Sequence, residues 1–80
     1  MVIVKLFAAM AEEAGVDTIE LPWQDGLTTQ SVKELLAERY APLTNRLEAA
    51  MVAVNQAFVP GERELHDHDE VAFIPPVSGG

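Results

Sequence analysis

Eighty residues, 49% of them apolar and 22% charged, suit one small domain with a single core and exclude a disordered chain. Thirteen Asp and Glu against five Lys and Arg give a net charge of −8, which repels phosphate backbones and argues against a nucleic-acid partner. No apolar run nears the roughly 18 residues of a membrane span, nothing at Met1 reads as a secretory leader, and there is no cysteine for disulfide, thiolate or thiol chemistry. No membrane partner is expected, and a cytoplasmic location is.

Val2-Ile3-Val4-Lys5-Leu6-Phe7 is β-branched and aromatic, a strand with Val2, Val4 and Leu6 on one face and Ile3, Lys5 and Phe7 on the other. Ala8 to Ala14 has the composition of a short helix, and Gly15 stands where its C-terminus needs a left-handed residue. Asp17 to Leu21 alternates as a half-buried strand, closed by Pro22 and the Asp25-Gly26 turn. Ser31-Val32-Lys33-Glu34 matches a capping box, with Thr28 and Thr29 as rival N-caps. Val32, Leu35, Leu36 and Tyr40 then recur at helical spacing up to Pro42, predicting an amphipathic helix of about three turns. Leu43 to Ala50 reads as irregular. Met51 to Asn55 reads as a strand, Ala57-Phe58-Val59 as its short continuation after a turn at Asn55-Gln56, and Glu70 to Ile74 as the last strand. This order predicts an α+β fold, a β-grasp (ubiquitin-like) roll. Its mixed sheet is covered by one main helix, and the first and last strands lie side by side. Residues 1–74 form the expected domain and 75–80 an extended, flexible tail.

Catalytic equipment is nearly absent. His66-Asp67-His68-Asp69 collects potential ligands in one turn, but a short loop rarely aims three of them at a single ion, so no metal site is expected. Ser78 has no basic neighbour in sequence, and no glycine-rich phosphate loop precedes either helix. Neither side-chain catalysis nor a bound cofactor is expected.

The tail differs. Gly79-Gly80 ends the chain, a pairing that chance produces roughly once in 200 chains. Without Cβ atoms, the last carboxylate can be threaded into a narrow cleft. A frayed terminus would also account for the pair taken alone. Pro75-Pro76 favours extended geometry, and the residues beyond Pro75 can span roughly 15 to 18 Å. The last strand is apolar on both faces. If Val71 and Phe73 turn toward the helix with Val52 and Val54, then Ala72 and Ile74, with Phe58, form an exposed patch beside the tail, a candidate partner surface. The alternative is that the segment around Leu43 to Leu47 folds over it.

The segment Asp69-Glu70-Val71-Ala72-Phe73-Ile74-Pro75-Pro76-Val77-Ser78-Gly79-Gly80 resembles the terminal signature of the small, sulfur-carrying subunit of molybdopterin synthase. Val54-Asn55-Gln56 and Leu6-Phe7-Ala8 are similar to further stretches of that family. The resemblance implies a cycle run at Gly80. A ubiquitin-activating-type enzyme spends ATP to adenylate the Gly80 carboxylate, and a sulfur donor displaces AMP to leave a C-terminal thiocarboxylate. The tail then enters the large synthase subunit, which carries the catalytic side chains of the heterotetramer, and its sulfur builds the dithiolene of the pyranopterin. Gly80 and Gly79 would be the reactive end; Phe58, Ala72, Ile74, Pro75, Pro76, Val77 and Ser78 would face the partner. A related carrier for thiamine, cysteine or tRNA thiolation, or a protein modifier or binding module, would share most of these features. One position departs from the family pattern: His68 stands where glycine is frequent, which matters if that turn needs a positive φ.

Overall fold

The structure, a computed structural model, describes residues 1–76; Val77, Ser78, Gly79 and Gly80 lie outside the described residues. The chain runs β1 (Val2–Leu6), α1 (Ala8–Ala14), β2 (Thr18–Leu21), α2 (Thr29–Arg39), a 3₁₀ turn (Ala41–Leu43), α3 (Thr44–Ala49), β3 (Met51–Val54), β4 (Ala57–Val59) and β5 (Glu70–Ile74). The strands form one mixed sheet in the order β2-β1-β5-β3-β4. β1 and β5 are parallel neighbours at its centre, and the other pairings are antiparallel. This is the β-grasp arrangement the sequence predicts.

Alternation along the strands separates the two faces. Val2, Val4 and Leu6 of β1, Val71 and Phe73 of β5, and Val54 of β3 are buried on the inner face. They join Val32 and Leu36 of α2 and Met10 of α1 in one core. Each such side chain contributes about 1.5–3 kcal/mol by leaving water, and these burials are the main force closing the roll.

α2 starts where its cap chemistry permits. Of the three N-caps open to the sequence, Thr28 is the one used, which overturns the box read from Ser31 to Glu34: Ser31 lies at the third helical position, and Thr28 Oγ1 accepts from its amide at 3.1 Å. Leu35, expected in the apolar stripe, is 45% exposed and points away from the sheet. α1 ends at Gly15, whose φ of 77° is the left-handed conformation expected there.

The stretch Leu43 to Ala50 corrects the reading as an irregular segment. Pro42 does stop α2, but it lies in the first turn of the 3₁₀ segment, where its missing N–H costs nothing, and α3 follows directly. Leu43 and Leu47 are both fully buried in the core, on the same side of the sheet as α2. This segment therefore completes the inner layer and leaves the opposite face of the sheet open.

Candidate functional site

The register defines the outer face. One row across the sheet holds Thr18, Lys5, Ala72, Ala53 and Phe58, contributed by β2, β1, β5, β3 and β4 in turn. The next row toward the tail pairs Ile74 with Met51, and Phe7, one residue beyond the Leu6–Phe73 pair, continues β1 beside Ile74. Phe58 is 61% exposed, Phe7 46% and Met51 43%, while Ile74 is half-buried. Three large apolar side chains exposed together on one sheet face form a contiguous patch at the root of the tail.

Two adjustments to the expected patch follow. Ala72 sits at its centre but is only 9% exposed, and Ala53 beside it 4%, because their methyls lie low between the longer side chains of adjoining positions. Ala72 therefore contributes a shallow floor rather than contact area. Phe7 and Met51, in contrast, belong to the patch although neither stood out in the sequence. The alternation of β1 places Phe7 with Ile3 and Lys5, and that was the signal available for it.

The tail leaves the body from β5. Pro75 is half-buried and Pro76 exposed, and both line an apolar cleft of about 290 Å³ with Ala8, Met10 and Ala49. Glu13 of α1 pairs with Arg46 of α3 near this cleft, fastening the two short helices. Val77, Ser78, Gly79 and Gly80, expected to carry the chemistry and its approach, fall outside the described residues.

β5 is held in place from its other end. β3 and β4 are joined by Asn55-Gln56 with φ of 50° and 70°, the left-handed pair that a two-residue hairpin turn demands. Asn55 tolerates this conformation and also clamps the turn preceding β5. Its Nδ2 donates to Asp69 Oδ1 at 2.9 Å, and its Oδ1 accepts from the Glu70 amide at 3.0 Å. The other Asp69 oxygen accepts from the His66 amide at 2.8 Å. Burial raises the Asp69 pKa, but the His66 amide and the Asn55 side chain outweigh it and hold the carboxyl below its ordinary value. The amino group of Met1 bonds Asp67 and lowers that pKa as well. His68 has φ of 74°, so the turn does require the left-handed conformation that glycine adopts without cost. Among the described residues no group of three potential ligands is gathered closely enough to hold a metal ion, and no helix is long and apolar enough to cross a membrane.

The ThiS family profile matches residues 4–80. The chain belongs to the ThiS family. Across its whole length it is 40% identical to the molybdopterin synthase sulfur carrier subunit of Haemophilus influenzae, which it also covers completely. It is 37% identical to the protein of the same name from Escherichia coli, with both chains again covered in full. Among solved structures, the small archaeal modifier protein 1 of Methanosarcina acetivorans superposes with a TM-score of 0.84 at 29% identity, over 99% of this chain and 95% of that one. For this ThiS-family chain, the likeness extends from β1 through the terminal segment.

Proposed function

We propose that the chain is the sulfur-carrying small subunit of a molybdopterin synthase, with Gly80 as its reactive group. The observation that carries this reading is the full-length match to relatives bearing that name, in a fold whose tail departs beside an exposed apolar face. The role of the body follows from its geometry. Phe58, Met51, Phe7 and Ile74 offer a dry surface against which the large subunit can close, and Pro75-Pro76 start the tail from that surface in an extended direction. The four residues beyond Pro76 reach about 13 Å when extended, enough to enter a neighbouring subunit while the sheet stays docked on its exterior.

The chemistry needs no side chain of this protein. An activating enzyme joins the Gly80 carboxylate to AMP at the expense of ATP, releasing pyrophosphate and leaving an acyl carbon with a good leaving group. A sulfur nucleophile forms the C–S bond as the bond to AMP breaks, and the resulting thiocarboxylate is the form that donates. Glycine at both final positions leaves the acyl carbon open to attack and the backbone free to follow a narrow channel. A chain with no cysteine keeps the sulfur on the terminus alone. ATP-dependent activation fits a cytoplasmic location.

Incubation with the activating enzyme, ATP and a sulfur source should raise the intact mass by the difference between sulfur and oxygen. Deleting Gly79-Gly80 should abolish dithiolene formation in a reconstituted synthase while leaving the melting temperature unchanged; full activity of the truncated chain overturns the proposal. The likeness to an archaeal modifier supports a second reading, in which the same terminus is joined to lysines of other proteins. Lysine-linked conjugates in extract that vanish with Gly80, without dithiolene formation, would favour it.

A further inference from the structure

With no cysteine in the chain, side-chain sulfur is confined to Met1, Met10 and Met51, and the fold gives each a different setting. Met10 is buried in the core, where its thioether is shielded. Met1 is exposed, but its amino group bonds Asp67 at the far end of β1, roughly 16 Å from the tail root. Met51 is exposed on the outer face, paired with Ile74 across β3 and β5, and belongs to the apolar patch. Of the three thioethers, only that of Met51 is both open to solvent and part of the proposed dock.

The two sides of Met51 differ in polarity. On the sheet, Ile74 stands in its row and Ala53 and Phe58 in the next, none with a side-chain hydrogen-bond donor. At the β4 edge, Met51 lines a groove of about 500 Å³ together with Gln30 and Lys33, whose side chains do carry donors. The groove has room for a small oxidant to reach the thioether, and its polar wall can bond an oxygen placed there. The unmodified thioether has no use for those donors and adds only apolar area to the patch.

We propose that Met51 is a reversible oxidation site, at which a peroxide converts the thioether to a sulfoxide and weakens docking. The peroxide O–O bond breaks as the S–O bond forms; sulfur gives up two electrons, and hydrogen peroxide is reduced to water. A methionine sulfoxide reductase reverses the step, oxidising a dithiol to a disulfide and releasing the oxygen as water. In the patch, a closing partner would bury the new oxygen against apolar groups with no donor to receive it. Bonding to the polar wall of the groove draws the side chain off Ile74 instead, and the apolar contact is lost in both positions. This inference rests on the proposed carrier function and adds a regulation of its docking face. Oxidation acts on the free carrier, because a docked partner covers Met51.

The test treats the full chain, in its carboxylate form, with hydrogen peroxide, removes the peroxide and measures Kd for the large synthase subunit by isothermal titration. An added oxygen and a sulfur-for-oxygen exchange at Gly80 weigh almost the same, so peptide fragmentation rather than intact mass locates the change. It should find Met51 and Met1 oxidised and Met10 spared. The Kd should rise about tenfold or more, and return after treatment with methionine sulfoxide reductase and dithiothreitol. Met51→Leu, which nearly conserves volume, should bind within about threefold of the unaltered chain and keep that affinity after the same peroxide treatment. Bound large subunit should slow the oxidation of Met51 and not that of Met1. Circular dichroism melting confirms that the oxidised chain folds, and Met51→Gln stands in for the sulfoxide if it does not. An unchanged Kd after oxidation of Met51, or an equal loss in treated Met51→Leu, overturns the inference alone. Absence of any binding by the untreated chain overturns the carrier reading itself.

Discussion

Replacing Phe58 with alanine should weaken docking strongly and leave the fold almost untouched. A phenylalanine carries about 200 Å² of accessible surface, so an exposure of 61% leaves roughly 120 Å² for a partner to cover. At about 25 cal/mol per Å² this is worth roughly 3 kcal/mol, and alanine would retain some of it, for a net loss of about 2 kcal/mol. The expected result is an approximately 30-fold higher Kd for the large subunit, expressed mainly as faster dissociation. Isothermal titration gives the affinity and differential scanning calorimetry the stability, which should change by no more than about 0.5 kcal/mol at so exposed a site. An unchanged Kd would refute the assignment of this face as the dock. A large fall in melting temperature would show that Phe58 packs within the domain instead.

Two predictions concern the turn before β5. His68→Gly should stabilise the protein by about 1 kcal/mol, read as a higher melting temperature, because the left-handed φ of 74° strains any residue with a Cβ. Asp69→Asn should cost about 1–3 kcal/mol near neutral pH, since the carboxylate accepts from the His66 amide and the Asn55 side chain. With the folded pKa of Asp69 below its unfolded value, its contribution is fully present above the unfolded pKa and is lost as pH falls through the folded one. Urea titrations from neutral to strongly acidic pH should therefore show the two proteins converging at the acid end, and a pH-independent difference would count against the charge as the cause.

Much of this architecture was legible because it rests on local chemistry. The strand alternation of β1, the left-handed stop at Gly15 and the helical spacing of Val32 and Leu36 each name a conformation within a few residues. α3 was not legible in the same way. Its six residues carry too little periodicity to declare a helix, and Pro42 reads equally as the end of one helix or the start of the next. The i, i+4 spacing of Leu43 and Leu47 was the only trace of their shared burial. The exposure of Ala72 lay beyond any local rule, since it depends on which side chains the neighbouring strands set beside it. The same holds for Phe7 and Met51, which become one surface only when β1, β5 and β3 are placed in register. Gly79-Gly80 stood out by composition, but composition alone left a frayed terminus equally open; its reading as a reactive end came from the resemblance of the Asp69 to Gly80 segment, and it lies outside the described residues.

The register that divides this sheet also divides the consequences of mutation. Along β5, Val71 and Phe73 face inward and are fully buried, while Ile74 faces outward beside Met51 at the point where the tail begins. Successive residues of one short strand therefore face different surroundings, the core at one and the open outer face, proposed as the dock, at the next. A slip of one residue in the β1–β5 or β3–β5 pairing would turn Val71 and Phe73 toward solvent and aim the tail from the core face. The Asn55–Asp69–Glu70 hydrogen bonds oppose that slip by tying the hairpin turn to the first residue of β5. On this argument Asn55 secures the aim of the tail as much as the stability of the fold, although it lies at the opposite end of the strand from Pro75.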